Sequence, residues 1–265
     1  MDLLPDDVER EHLIGELANL IATAGAERFL NAPILEPNDR SFPDPWTADA
    51  AGVTRLIQRL LGYAGLDHLR LTLEIDQFSQ ATGKVLMDGT AGGHEGTAAW
   101  FAGIRDGVCA FGLDTRGLED PIGLIGVLAH EVAHAYRHEK ALRQPVTAHE
   151  ERLTDLTTVY LGSGILTTNA TQRFRSGQKG AGSWYSRAQA GYLPMQSMSY
   201  LLAAQVVARG TPPSPIAKGL SPNQRACFKA ACASLERPAL CEQLGLPIPA
   251  PAAERGWFGR LFKRS

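Results

Sequence analysis

His130 and His134 stand four residues apart in the run Leu128-Ala-His-Glu-Val-Ala-His-Ala-Tyr136, and this spacing constrains the chain more than any other feature. On an α-helix, residues four apart differ by ~40° around the axis and ~6 Å along it, so both imidazoles project from one face toward a common point. Two imidazoles placed in this way can hold one metal ion. Glu131 lies one step round from His130, at the edge of the same face, where its carboxylate can reach a metal-bound water without being a ligand. The layout is that of a hydrolytic zinc centre.

The neighbouring residues agree with a helix. Asp120 suits the N-cap and Pro121 the first helical position. Ile122, Ile125, Leu128 or Ala129, Val132 and Tyr136 recur at helical spacing, which predicts one buried stripe with the histidines beside it. Val132 and Ala133 carry no charge to compete with Glu131. Gln144-Pro145 marks the expected end.

A third protein ligand is needed, and residues 149–162 supply candidates. Glu151 and Asp155 are four apart and share a helical face, as the histidines do. Glu151 can complete a two-His, one-Glu set, with Asp155 accepting the free ring N–H of a ligand histidine and fixing its tautomer. Asp155 is also a competing ligand, in which case Glu150 or Glu151 is a surface charge. His138 extends the histidine row, but three ligands on one straight helix spread over about 12 Å, too far for bonds of about 2 Å to one ion. His149 reads as a solvated or substrate-side residue.

His130-Glu131-x-x-His134 followed by Glu151-x-x-Thr154-Asp155 resembles the gluzincin metallopeptidases, whose second motif is Glu-x-x-Ser/Ala-Asp. The resemblance covers residues 120–160 and implies His130, His134 and Glu151 as ligands of Zn2+, Glu131 as general base and Asp155 as the residue behind a ligand histidine. The block 153–165, with Gly191-Tyr-Leu-Pro194 after it, also resembles a group of uncharacterised bacterial proteins predicted to be zinc peptidases. One departure from the better-studied gluzincins is the short gap: residues 135–150 alone separate the two motifs, leaving no room for an inserted subdomain. The fold this implies is α+β and zincin-like, mostly helical, with a small antiparallel or mixed sheet beside the helix of the first motif.

Composition excludes several other classes. The net charge of −2 over 265 residues gives no basic field for nucleic acid. Nothing approaches the ~18 consecutive apolar residues of a membrane span, and the acidic start Met1-Asp-Leu-Leu-Pro-Asp-Asp lacks a signal peptide's basic and apolar regions. Cys109, Cys227, Cys232 and Cys241 show no CxxC spacing, so reduced thiols and a cytoplasmic location are expected.

In chain order, residues 1–65 read as an N-terminal helical region, 66–210 as the metallopeptidase core, 211–246 as a helical extension and 247–265 as a tail. Residues 6–30 carry Leu13, Leu17, Leu20 and Ile21 at helical spacing, which predicts one amphipathic helix, with Val8 on the same stripe. Four prolines make residues 31–46 a loop, and residues 48–61 form a second helix with Gly62 near its stop. Leu69–Ile75 alternates as a half-buried strand, and residues 98–104 and 108–113 form a hairpin across Arg-Asp-Gly107. In metallopeptidases of the resembled kind a strand before the metal helix pairs with substrate, so 108–113 reads either as recognising a peptide by strand addition or as a plain core strand.

Residues 81–96, with His94-Glu95, read as a mobile loop. The Gly/Ser/Thr stretch 163–184, with Arg173, Arg175 and Lys179, reads as a disordered loop or basic lid. Residues 186–209 form an apolar helix in which Tyr192 or Tyr200 is a candidate oxyanion donor. Thr211-Pro-Pro-Ser-Pro215 reads as a linker and residues 221–236 as a helix. The basic and aromatic ending, residues 255–264, could dock on a membrane or partner.

These residues predict zinc-assisted hydrolysis of peptide bonds, with a protein or peptide as substrate. The alternatives are a non-catalytic zinc-binding regulator and a hydrolase of other amides.

Overall fold

The computed structural model describes residues 2–76, 84–85, 91–92, 99–176 and 192–248. It is an α+β fold, mostly helical, with a three-stranded mixed sheet. His94-Glu95, Lys179 and the residues from 249 onward lie outside the described residues.

The chain starts with α1 (Asp7–Ala24), opened by the Asp6 side chain accepting from the Glu9 N–H at 2.8 Å, an N-cap that satisfies one of the orphan donors of the first turn. The single helix expected over 6–30 is two. Gly25 has φ 106°, a backbone state that L side chains rarely adopt, and α2 (Ala26–Asn31) begins directly after it. Leu13, Leu17 and Ile21 are buried as expected, while Val8 lies in solvent. After the proline loop, α3 (Ala50–Ala64) is capped by Asp49, which accepts from Gly52 N–H at 2.8 Å, and closes on Gly65 in the left-handed region. Gly62 is inside it and does not stop it.

Strand β1 (Arg70–Asp76) runs parallel to β5 (Val108–Asp114), and β4 (Ala99–Arg105) pairs antiparallel with the other side of β5, giving the order β1-β5-β4. The β4–β5 hairpin turns on Asp106 and Gly107, both with positive φ, the type I′ geometry that matches strand twist. A register shift between Phe101 and Gly103 bulges β4 beside the metal helix. The short strands β2 (Lys84–Val85) and β3 (Ala91–Gly92) form a separate antiparallel ladder. Because β5 is paired on both sides, it fits the core-strand reading of 108–113 and not strand addition, and within this sheet the outer position next to the helix of His130 and His134 belongs to β4.

A 3₁₀ turn (Thr115–Glu119) leads to α4 (Pro121–Glu139), whose N-cap Asp120 accepts from Gly123 N–H at 3.0 Å. The helix ends at Glu139, short of Gln144-Pro145, and Ile122 is exposed where the periodicity predicted burial. Leu124, Leu128, Val132 and Tyr136 form its buried stripe. Helix α4 packs against β4, α3, α5 (Thr147–Tyr160) and α6 (Gly164–Ser176).

Helix α6 corrects the loop expected over 163–184 as far as residue 176, and residues 177–184 lie outside the described residues. Ile165, Leu166 and Ala170 are buried, and tertiary packing overrides the poor helix propensity of their Gly, Thr and Asn neighbours. Helix α7 (Met195–Arg209) follows the non-helical residues 192–194, residues 186–191 of the expected helix lying outside the described residues, and it is buried almost all round, between α1, α5, α6, α9 (Pro222–Ser234) and α10 (Arg237–Gln243). The linker expected at 211–215 contains α8 (Pro213–Lys218), with proline in its first turn, where the missing N–H costs nothing. One cluster of buried side chains runs from Leu17 of α1 through Val132 of α4 to Leu201 of α7 and Phe228 of α9. No helix among the described residues is long and apolar enough to cross a membrane.

Candidate metal centre

Helices α4 and α5 together bring His130, His134 and Glu151 into one cluster, whose ligand atoms all lie within 4.8 Å of one another. His130 Nε2 is 3.1 Å from His134 Nε2 and 3.1 Å from Glu151 Oε2, and His134 Nε2 is 3.4 Å from the same oxygen. Bonds of about 2.0–2.1 Å arranged tetrahedrally separate their donor atoms by ~3.3 Å. The three spacings are therefore those of one face of a coordination tetrahedron, and the set fits a divalent cation.

The far side of His130 is bonded as a ligand histidine requires. Its Nδ1 is 2.8 Å from Asp155 Oδ1, and the other Asp155 oxygen accepts from Leu193 N–H at 2.8 Å. With Nδ1–H given to the carboxylate, Nε2 is left to face the cluster. Burial by itself would strip the proton from the imidazolium, but hydrogen bonds with Asp155 and Glu151 outweigh it and hold the pKa of His130 well above the ordinary histidine value. For Glu151, burial pushes upward and the two histidine rings pull down; the rings prevail and hold its carboxyl well below the usual range.

Of the acidic candidates, Glu151 is the one in the cluster and Asp155 is behind His130. Glu131, the next residue on α4, is buried, with Oε2 accepting from the Phe101 N–H of β4 at 2.8 Å. The Tyr192 ring is stacked on His130, with centroids 5.1 Å apart. Tyr200 is buried on α7, and burial raises the pKa of its hydroxyl against the pull of Arg10 on α1. His138 packs its ring edge-on against Phe101, centroids 5.8 Å apart, and His149 is turned to Glu16 of α1 at 3.8 Å.

Four contributors were missed from sequence. Phe101 and Leu193 act through backbone N–H groups, which have no sequence signature. Thr154 lies 3.2 Å from His134 Nδ1, at a position read only as a spacer between Glu151 and Asp155. Arg137, one turn past His134, makes a buried two-bond pair with Glu150, at 2.9 Å for each bond; an Arg at i+3 and a Glu before the ligand were the available signal.

No protein-family model, curated protein or solved structure matches this chain. The site therefore rests on its own geometry.

Proposed function

We propose that this chain is a zinc-dependent metallopeptidase of gluzincin type with a zincin-like fold, cutting peptide bonds in a protein or peptide substrate. The observation that carries this reading is the His130–His134–Glu151 cluster, with Glu131 the next residue after His130 on the same helix. His130 and His134 from α4 and Glu151 from α5 would hold the ion. Two nitrogens and one carboxylate oxygen form a donor set that suits Zn2+ and leaves a fourth position open.

When bound, the metal would polarise the scissile carbonyl and lower the pKa of a water. Glu131 takes the proton of the attacking water on its carboxylate and delivers it to the leaving nitrogen. The Phe101 N–H at 2.8 Å fixes the direction in which that carboxylate points, so little reorientation is needed at the moment of reaction. Asp155 keeps the His130 ring in its ligand tautomer. Tyr192, whose ring lies on His130, is assigned the role of donor to the developing oxyanion. Substrate lies along β4, the strand next to Glu131, with its backbone extended as an added strand. A cytoplasmic site of action fits the four unpaired cysteines.

Glu131→Gln keeps the side-chain shape and removes the base. The expected result is metal content equal to wild type with hydrolysis of peptide mixtures reduced to background. Equal turnover in the two proteins would remove the catalytic claim, and retained cellular function with no turnover in either would favour a zinc-binding regulator.

A further inference from the structure

Thr154 is fully buried in the middle of α5, facing His134. Its Oγ1 is 2.8 Å from the carbonyl of Glu150, one turn back, and 3.2 Å from His134 Nδ1. A carbonyl only accepts, so the single hydroxyl proton of Thr154 is committed to Glu150. Toward the ring, Oγ1 has lone pairs alone to offer. His134 Nδ1 must then be the donor, so in the neutral ring Nε2, 3.1 Å from His130 Nε2, is the nitrogen without a proton.

The hydroxyl is held in this role from two sides. Thr154 is β-branched, which limits its χ1 choices in a helix. Glu150 is in turn clamped by Arg137 of α4, with bonds of 2.9 Å from Nε and Nη2, and its Oε2 also accepts from Gln144 N–H at 2.8 Å. A closed circuit results: His134 on α4, Thr154 and Glu150 on α5, and Arg137 back on α4.

We infer that Thr154 is a positioning residue of the metal centre, fixing His134 in the tautomer that presents Nε2 to the ion, as Asp155 does for His130. The stretch Glu151–Asp155 then supplies one ligand and the orienting groups for both of the others.

This inference rests on the cluster binding a metal, and the experiment separates the two claims. Zn2+ affinity is measured by chelator competition for wild type, Thr154→Val, Thr154→Ala and Thr154→Ser, with circular dichroism of each metal-free protein to establish folding. Wild type binding one equivalent of Zn2+ upholds the metal centre. Loss of an orienting hydrogen bond behind a ligand histidine weakens binding about 10–100-fold, expected for Val and Ala, while Ser keeps most of the wild-type affinity. Ring nitrogen chemical shifts of neutral His134 in the metal-free protein are expected to report Nδ1–H in wild type and Ser, and a gain of Nε2–H in Val and Ala. Wild-type affinity and an unchanged tautomer in either folded Val or Ala variant would overturn the assignment and leave the metal centre standing.

Discussion

His130 meets a carboxylate on each side of its ring, and this has a consequence in solution. Its pKa in the metal-free protein is held well above the ordinary value by Asp155 and Glu151, against the effect of burial, so at neutral pH the ring carries a proton that a metal ion must displace. A group with a raised pKa in the free state competes with metal up to that pKa, so affinity rises as pH rises through it and falls in acid. Calorimetric titration with Zn2+ in buffers of different ionisation enthalpy is expected to show release of about one proton per ion at pH 7; no proton release would mean the ring is already neutral. Tyr192 is tested separately, because its proposed hydroxyl contact forms only with the developing oxyanion. Tyr192→Phe is expected to lower kcat about 10²–10³-fold, in the range found for lost oxyanion donors, with Zn2+ affinity unchanged. His130, His134 and Glu151, which the fold brings together, were legible in the sequence because residues four apart share a helix face, which pairs the two histidines on one helix and Glu151 with Asp155 on the next. Thr154 and the N–H groups of Phe101 and Leu193 were not, since their part depends on which element folds against which.

The elements show where local pattern loses to packing. Residues 164–176 carry the composition of a loop, yet form a helix because α4 offers a surface of matching shape: a Cβ built on Gly126 would come within 2.6 Å of Ala170 Cβ and 3.0 Å of the Leu166 carbonyl. The two backbones therefore approach as closely as glycine allows. Gly126→Ala gains about 1 kcal/mol in helix propensity but overpacks the crossing, which typically costs about 1–3 kcal/mol, so a net loss of stability is expected in urea unfolding. Ala170→Gly in the same chain removes the opposing methyl and is expected to restore part of that loss, a coupling that independent sites do not show. Additive effects would mean that the crossing is looser than the 2.6 Å approach implies. The hairpin, by contrast, was legible to within a residue at each strand end, since Asp-Gly between two apolar runs specifies a tight turn. Its place in the sheet was not, because alternation along β5 says nothing about which neighbours it pairs with.

At the scale of the whole molecule, the His130–His134–Glu151 cluster joins two helices that the rest of the core also holds together. His130 and His134 belong to α4, which packs on the sheet, and Glu151 belongs to α5, which packs on α7 and α1. An ion bound to all three ties the sheet side of the molecule to its helical side, and it binds the folded state alone because the unfolded chain scatters the ligands. Free ion at 100 times its dissociation constant then stabilises folding by about 2.7 kcal/mol. A chain of this size moves its unfolding midpoint by roughly 2–4 °C per kcal/mol, so a chelator is expected to lower Tm by roughly 5–10 °C from that starting point in a thermal unfolding scan. His134→Ala is expected to unfold at one temperature with and without chelator. Removal of the Arg137–Glu150 pair should instead lower Tm in both conditions, since that pair is part of the α4–α5 contact whether or not an ion is present. A chelator-independent wild-type Tm would show that the cluster holds its shape through protons and hydrogen bonds alone, and the hydrolytic reading would lose its foundation.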